Sequence, residues 1–366
     1  MKILYIGGFE LPDKNAAAQR VMANAMLLRE MGCDTTLVGV SKECARVFTH
    51  NGFECRCLKY PNNIKEWLHQ VLTFMTDSEI EEYKPDYIVL YNFPAVASLK
   101  ILRYAHMNGF KVIHDLTEWE HTGGWSPRDI IKRMDTRLRM RYCMKKMDGV
   151  IAISKYLYDY YKNNVKTVLV PPTVDLNCPK WNRKRVLTAN NPKKLVYAGS
   201  PGGGIKDRLD YIVDSVKQKK GLKLIVVGLN GKEFFESFKR PHEEFENIVF
   251  MGRLSHIDAV KAVCDADFQL LIRDHSRKND AGFPTKLTES MACGTPVIAT
   301  IFSNITDYVK EGETAFLVNE QQTLSAVFER VAKMKQEEVV AMKRYCLDMR
   351  DFDYRQYKVE FEKLFQ

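Results

Sequence analysis

Ala281-Gly-Phe-Pro-Thr-Lys-Leu-Thr-Glu-Ser-Met-Ala-Cys-Gly-Thr-Pro-Val-Ile298 passes from loop to helix to strand with no spare residue. Gly282 and Pro284 disfavour helix before Thr285, while Leu287, Met291 and Ala292 recur at helical spacing. Gly294 and Pro296 close the helix ahead of the apolar run Val297-Ile-Ala. A helix entered this way presents unpartnered N–H groups and a partial positive charge, which suits an anion. Lys286 and Glu289 stand at that start, with Glu289 able to accept from hydroxyl groups. The same residues read equally well as a short amphipathic helix with a glycine cap, so the rest of the chain must decide.

Upstream, Leu195-Val-Tyr-Ala-Gly-Ser200 is a strand followed by Pro201-Gly-Gly-Gly-Ile-Lys206 and a helix from Leu209 to Gln218. Strand, glycine loop and helix start form a phosphate cradle with Lys206 as counter-charge. The Walker pattern is missing, which disfavours ATP hydrolysis of that type. Leu224–Gly228 and Ile248–Gly252 add strands ending in glycine, and Ala266–Ile272 leads to Arg273. These loops and the Lys-Leu-Thr-Glu helix start are expected to converge on one sheet edge.

In the N-terminal half, Lys2-Ile-Leu-Tyr-Ile-Gly-Gly8, an amphipathic helix through Met31 and Asp34–Val40 make a β-α-β unit. A G-x-G-x-x-G fingerprint is lacking, so nicotinamide and flavin cofactors are disfavoured, although backbone at Gly7 and Gly8 can approach a ligand. Strands at 86–91, 111–114 and 149–153 alternate with helices as in a doubly wound parallel sheet. His114, Asp115 and Glu118 fall at a strand's carboxyl end, where such sheets bind ligands. The loop Trp119–Trp125 leads into a helix with apolar residues Ile130, Ile131, Met134, Leu138, Tyr142 and Met147. Its Lys132, Arg133, Arg139 and Lys145 are read first as the solvated side. The sharper alternative is that they meet an acidic membrane or a phosphate-bearing acceptor.

At 366 residues the chain is expected to fold as two domains. The boundaries are read as 1–185 and 192–347 with a terminal helix over 348–366, and the proline- and asparagine-rich stretch near 180–192 as the linker. Apolar residues at 45% and charged ones at 28% are ordinary for a soluble protein, and no apolar run spans a bilayer. The first residues read as a strand and not as a signal peptide, so a cytoplasmic location is expected. Nine cysteines lack C-x-x-C pairing and are read as reduced, and the net charge of +9 favours anionic partners.

The series Gly7-Gly8, His114-Asp115, Ile153-Ser154-Lys155, Pro171–Asp175, Tyr197-Ala-Gly199…Lys206, Val227-Gly228, Phe250-Met-Gly252 and Gly282–Ile298 resembles retaining glycosyltransferases of family GT4, of the polysaccharide and lipopolysaccharide type. That resemblance covers nearly the whole chain. It implies the α/β GT-B fold, two Rossmann-like domains facing each other across a cleft. A nucleotide-sugar would lie in the C-terminal domain and a saccharide or lipid-linked acceptor in the N-terminal one, without cofactor, metal or nucleic acid. It further implies catalytic or phosphate roles for His114, Lys206 and Glu289. Donor contacts are implied at Gly8, Gly199, Ser200, Gly204, Arg253, Arg273, Gly282, Phe283, Pro284, Thr285, Lys286 and Leu287. Arg20, Glu118, Trp119, Trp125 and Arg133 would lie on the acceptor or membrane side, making the protein peripheral to the inner membrane face. Two positions depart from the family pattern: Ala281, beside Asp280, replaces the first of its paired glutamates, and Ser200 replaces a basic residue. The fold also serves sugar-nucleotide 2-epimerases, and a non-catalytic nucleotide-sugar binding protein is the alternative from another class.

Overall fold

The computed structural model describes residues 1–12, 15–43, 45–120, 123–200, 206–319 and 321–365. The chain forms two compact units, one of Met1–Thr173 with Asp280–Phe283 and Asp353–Gln366, the other of Val174–Asn279 with Pro284–Phe352. No helix among the described residues is long and apolar enough to cross a membrane.

The first unit holds eight strands: β1 (Lys2–Gly7), β2 (Asp34–Ser41), β3 (Arg46–His50), β4 (Phe53–Lys59), β5 (Tyr87–Tyr91), β6 (Lys111–Leu116), β7 (Gly149–Ala152) and β8 (Thr167–Leu169). Their order is β3-β4-β2-β1-β5-β6-β7-β8, and only β3 runs antiparallel. The β3–β4 pair has no counterpart in the sequence reading. Phe53, Cys55 and Cys57 alternate inward along β4, a short period-two signal interrupted by charged residues. Inside this unit the Asp115 carboxylate receives two bonds from Arg20 Nε and one from Nη2, all between 2.8 and 3.0 Å. Tyr5 Oη donates to it at 2.5 Å and Asn24 Nδ2 at 3.2 Å. Arg20 also donates to the carbonyls of Val170 and Pro171, fastening strand, helix and loop together.

The second unit holds β9 (Lys193–Ala198), β10 (Leu222–Val227), β11 (Ile248–Phe250), β12 (Phe268–Leu271), β13 (Val297–Thr300) and β14 (Ala315–Val318), all parallel, in the order β11-β10-β9-β12-β13-β14. Chain order reverses beside β9, which leaves a crevice at the carboxyl ends of β9 and β12. The stretch near 180–192, expected as linker, instead packs within this unit. Trp181 is fully buried with its Nε1 donating to Asp175 O, and Arg183 and Arg185 donate to the carbonyls of Ala292 and Cys293. Proline and charge there mark irregular backbone and not exposure, and the passage between units comes at Thr173–Val174.

The terminal region also differs from a single helix. Helix Gln336–Asp348 belongs to the second unit, where Phe352 stacks on Tyr308 at 5.2 Å. A second helix, Lys358–Leu364, belongs to the first. There Phe361, Leu364 and Phe365 enter the core shared by Ile3, Tyr5 and Leu27.

Candidate nucleotide-sugar site

Three glycines end the strands on one side of β9. Gly199, Gly228 and Gly252 have φ of +132°, +122° and +68°, a region that L side chains rarely adopt. A Cβ at Gly228 would fall 2.3 Å from the Gly199 carbonyl oxygen, so the backbones after β9 and β10 pass in direct contact. A Cβ at Gly199 would fall 2.5 Å from Lys286 Cε. Gly199 thus clears the path by which Lys286 reaches over the end of β9.

Lys286 is delivered by helix Thr285–Ala292, whose N-cap Pro284 offers no side-chain cap. The opening is preceded by a short helix, Arg277–Ala281, that the glycine and proline at 282 and 284 did not lead one to expect. From the first turn Lys286 Nζ donates to Asp207 Oδ2 at 2.5 Å and lies 4.0 Å from the centre of the Tyr197 ring. Arg273, just past β12, donates from Nε to Asp207 Oδ1 at 2.6 Å, and Tyr197 Oη donates to Oδ2 at 2.8 Å. Burial alone would raise the Asp207 carboxyl, but the charges of Lys286 and Arg273 with their hydrogen bonds hold it well below the usual carboxylate range. For Lys286 burial dominates and, opposed by Asp207 but reinforced by Arg273 and Lys206, brings the ammonium down to about 8. Lys206 is exposed and acts on Lys286 electrostatically. Two cations, Lys286 and Arg273, therefore hold one buried carboxylate at the reversal point of the sheet, next to a helix start, and the charge of Lys206 acts on Lys286.

Glu289, one turn along the same helix, meets His256 Nε2 through Oε1 at 3.2 Å, with both side chains about a quarter or less exposed. Arg253 is exposed on the loop after β11, and Ser200 is exposed after Gly199. Gly204, expected in the phosphate loop, lies outside the described residues. Phe283, Pro284 and Leu287 are buried, Leu287 completely, so any donor contact at Leu287 would come from backbone. Gly282 and Thr285 are half-buried. Ala281 is fully enclosed and its carbonyl accepts from Ser154 Oγ at 2.7 Å.

In the first unit, space is open above Gly8, where a Cβ would meet nothing within 4 Å. His114 does not line an open surface. It is fully buried, its Nε2 accepts the Phe93 N–H at 3.1 Å, and its Nδ1 has no hydrogen-bond partner among the described residues. Burial, with the Arg139 charge, brings its imidazolium down to about 3, so the ring is neutral at ordinary pH. Arg20 and Trp119, expected on the acceptor or membrane side, are both inside: Arg20 is committed to Asp115, and Trp119 packs edge-on against Tyr156 and Tyr160. Both have strong internal partners that sequence spacing does not display. Glu118 is half-buried, whereas Trp125 is exposed under the Arg133 guanidinium at 5.1 Å.

Asp207 and His256 were not singled out by sequence, and Tyr197 stood in the motif series without a role of its own. Asp207 is legible only as the acid following Lys206, and its importance depends on Arg273 and Lys286 arriving from 66 and 79 residues away.

Solved structures superpose on the whole chain. Sucrose-phosphate synthase from Thermosynechococcus elongatus superposes with a TM-score of 0.71 at 15% identity, covering 100% of this chain and 98% of that one. HepE of Anabaena, solved in complex with UDP, superposes with a TM-score of 0.67 at 17% identity over 100% and 99% of the two chains. The fold is GT-B. Residues 192–336 match the family of glycosyl transferases group 1, a span that contains the whole Asp207 cluster. Among curated proteins, N-acetyl-alpha-D-glucosaminyl L-malate synthase of Bacillus anthracis is 28% identical over 120 residues, which is 32% of this chain and 29% of that protein's length.

Proposed function

We propose that the protein is a retaining glycosyltransferase that takes a sugar from a nucleoside-diphosphate donor and passes it to a saccharide or lipid-linked acceptor in cell-surface polysaccharide synthesis. It would work without a metal ion, at the cytoplasmic face of the membrane. The observation that carries this reading is the pairing of Lys286 and Arg273 with Asp207 at the carboxyl ends of β9 and β12, with the charge of Lys206 felt at Lys286. A leaving diphosphate gains negative charge in the transition state, and preorganised cations and N–H groups aimed at it lower the barrier. Lys206 and Lys286 would supply that charge, and the backbone of Gly199 and Ser200 would line the phosphate path. Glu289, steadied by His256, would accept from the ribose hydroxyls. His114 would act at one remove, through the Phe93 backbone that it holds. The UDP in the HepE structure and the matched family support a nucleotide donor for this chain.

Calorimetry with UDP, ADP and GDP tests the donor class, and the reading expects one of them to bind. Lys206→Ala and Lys286→Ala should then weaken that nucleotide about tenfold or more, the scale of a lost charged hydrogen bond. Unchanged affinity in both variants would remove the phosphate assignment. Donor incubated alone should yield no epimer, and product from a suitable acceptor should keep the donor's anomeric configuration by NMR.

A further inference from the structure

The basic helix Pro127–Arg141 is turned the other way from the simplest expectation. Its buried residues are Thr136, Arg139 and Met140. Arg139 is held inside by donating to the Asn92 carbonyl, and the Met140 carbonyl accepts from Tyr161 Oη. The apolar series Ile130, Met134, Leu138 and Tyr142, spaced by four, is left exposed, with Met134 at 66% and Trp125 just before the helix at 82%. Steps of four put these side chains on one stripe. Arg137 and Arg141 are exposed on the same arc of the helix, and Lys145 is exposed in the turn Cys143–Lys146 just past its end, over the Tyr160 ring. The two acids of the helix are engaged elsewhere, Asp129 with the Ser126 cap and Asp135 with the Ala95 N–H.

A neighbouring helix repeats the pattern. Ile64–Leu72 has no buried residue at all, and its Ile64, Leu68 and Leu72 are exposed at spacing four. The Arg128 guanidinium lies 5.1 Å above the Trp67 ring, joining the start of the basic helix to this one. A water-facing helix would normally show polar side chains here, and two apolar stripes, the one on the basic helix interleaved with arginines, are not explained by the fold of the unit itself.

We infer that this face of the first unit docks on an anionic phospholipid bilayer, with Trp125, Met134, Leu138 and the Ile64–Leu72 stripe entering the headgroup boundary and Arg137, Arg141 and Lys145 meeting lipid phosphates. Charge selects the occupant: an apolar stripe alone would suit any partner, but arginine and lysine between the apolar residues fit a surface that is apolar in depth and negative at its rim. Nucleic acid would use the cations and leave the stripe unused. The inference deepens the proposed use of a lipid-linked acceptor and rests on that reading for its purpose, but its test requires neither donor nor acceptor.

The full chain is floated with vesicles of phosphatidylcholine alone and of phosphatidylcholine mixed with phosphatidylglycerol. Binding is expected to the mixed vesicles only, and to weaken with added salt. Replacing Arg137, Arg141 and Lys145 together by Gln should reduce partitioning about a hundredfold, and Met134→Glu with Leu138→Glu should abolish it. Both variants change exposed positions, and nucleotide affinity by calorimetry should stay at the parent value. Equal flotation on both vesicle types, or parental flotation by both variants, overturns the inference. Self-association by sedimentation that disappears in Leu138→Glu, without vesicle binding by the parent, overturns it in favour of a second copy. Loss of vesicle binding with nucleotide binding intact leaves the transferase reading standing, and the reverse result leaves this one standing.

Discussion

Asp207 lies between two cations that are themselves largely withdrawn from water, and this sets how the site responds to pH. An anionic ligand favours the protonated form of Lys286, whose ammonium in the free protein titrates at about 8. Nucleotide affinity is therefore expected to hold below that pH and to fall as pH rises through it, by up to about tenfold for each further unit. Lys286→Arg keeps its charge and should flatten this profile, which calorimetry on either side of pH 8 will read. Folding stability runs the opposite way. The lysine is lowered from an ordinary value of 10.5, so between about 8 and 10.5 the unfolded chain binds more protons, and this residue's contribution to stability rises with pH. The two trends separate a binding role from a structural one. None of this was legible at the residue scale in sequence. Lys286, Lys206 and Arg273 stood out as cations beside glycine loops, but that Lys286 and Arg273 share Asp207 is decided by chain segments distant in sequence.

At the scale of elements, Gly199 is the point where a strand end, a glycine turn and the Lys286 helix meet. Gly199→Ala forces an L residue to φ +132° and places its Cβ 2.5 Å from Lys286 Cε. Such a substitution should destabilise by roughly 1–3 kcal/mol and displace the lysine. Gly252→Ala shares a positive φ of +68° but meets nothing within 4 Å. It should lose stability alone, in thermal unfolding, while Gly199→Ala also loses nucleotide affinity; equal affinity in the two would show that Gly199 does not position Lys286. Strands ending in glycine, and the helix from Thr285 to Ala292, were readable because their signals are local: apolar runs, a turn residue, a cap. The β3–β4 hairpin was not, because alternation over five to seven residues mixed with charge is weak. The basic helix shows a further limit. A spacing of four identifies an amphipathic helix but not its inward side, and here the bonds from Arg139 to the Asn92 carbonyl and from the Tyr161 hydroxyl to the Met140 carbonyl mark it.

At the scale of the whole molecule, the first unit is assembled from residues on both sides of the second. The Tyr354 hydroxyl donates to Glu30 at 2.6 Å, Tyr87 and Phe365 rings lie 5.2 Å apart, and Leu364 fills the space that a Cβ at Gly149 would need. A chain shortened to end at Phe352 loses four buried core side chains, Tyr354, Phe361, Leu364 and Phe365, each worth roughly 2 kcal/mol. The first unit should then unfold at lower denaturant than the second, so that tryptophan fluorescence and limited proteolysis show two transitions. One coincident transition at the parental midpoint would contradict this.

The return of Asp353–Gln366 to the first unit also orders events during synthesis. The ribosome makes Met1–Thr173 first, yet that unit lacks part of its apolar interior until everything through Phe352 has been translated. The later-made unit is nearly continuous in sequence and can complete its own core before the earlier one completes its interior. For that interval the nascent chain carries an unfinished N-terminal core, and chaperones that bind exposed apolar surface are expected to engage it there.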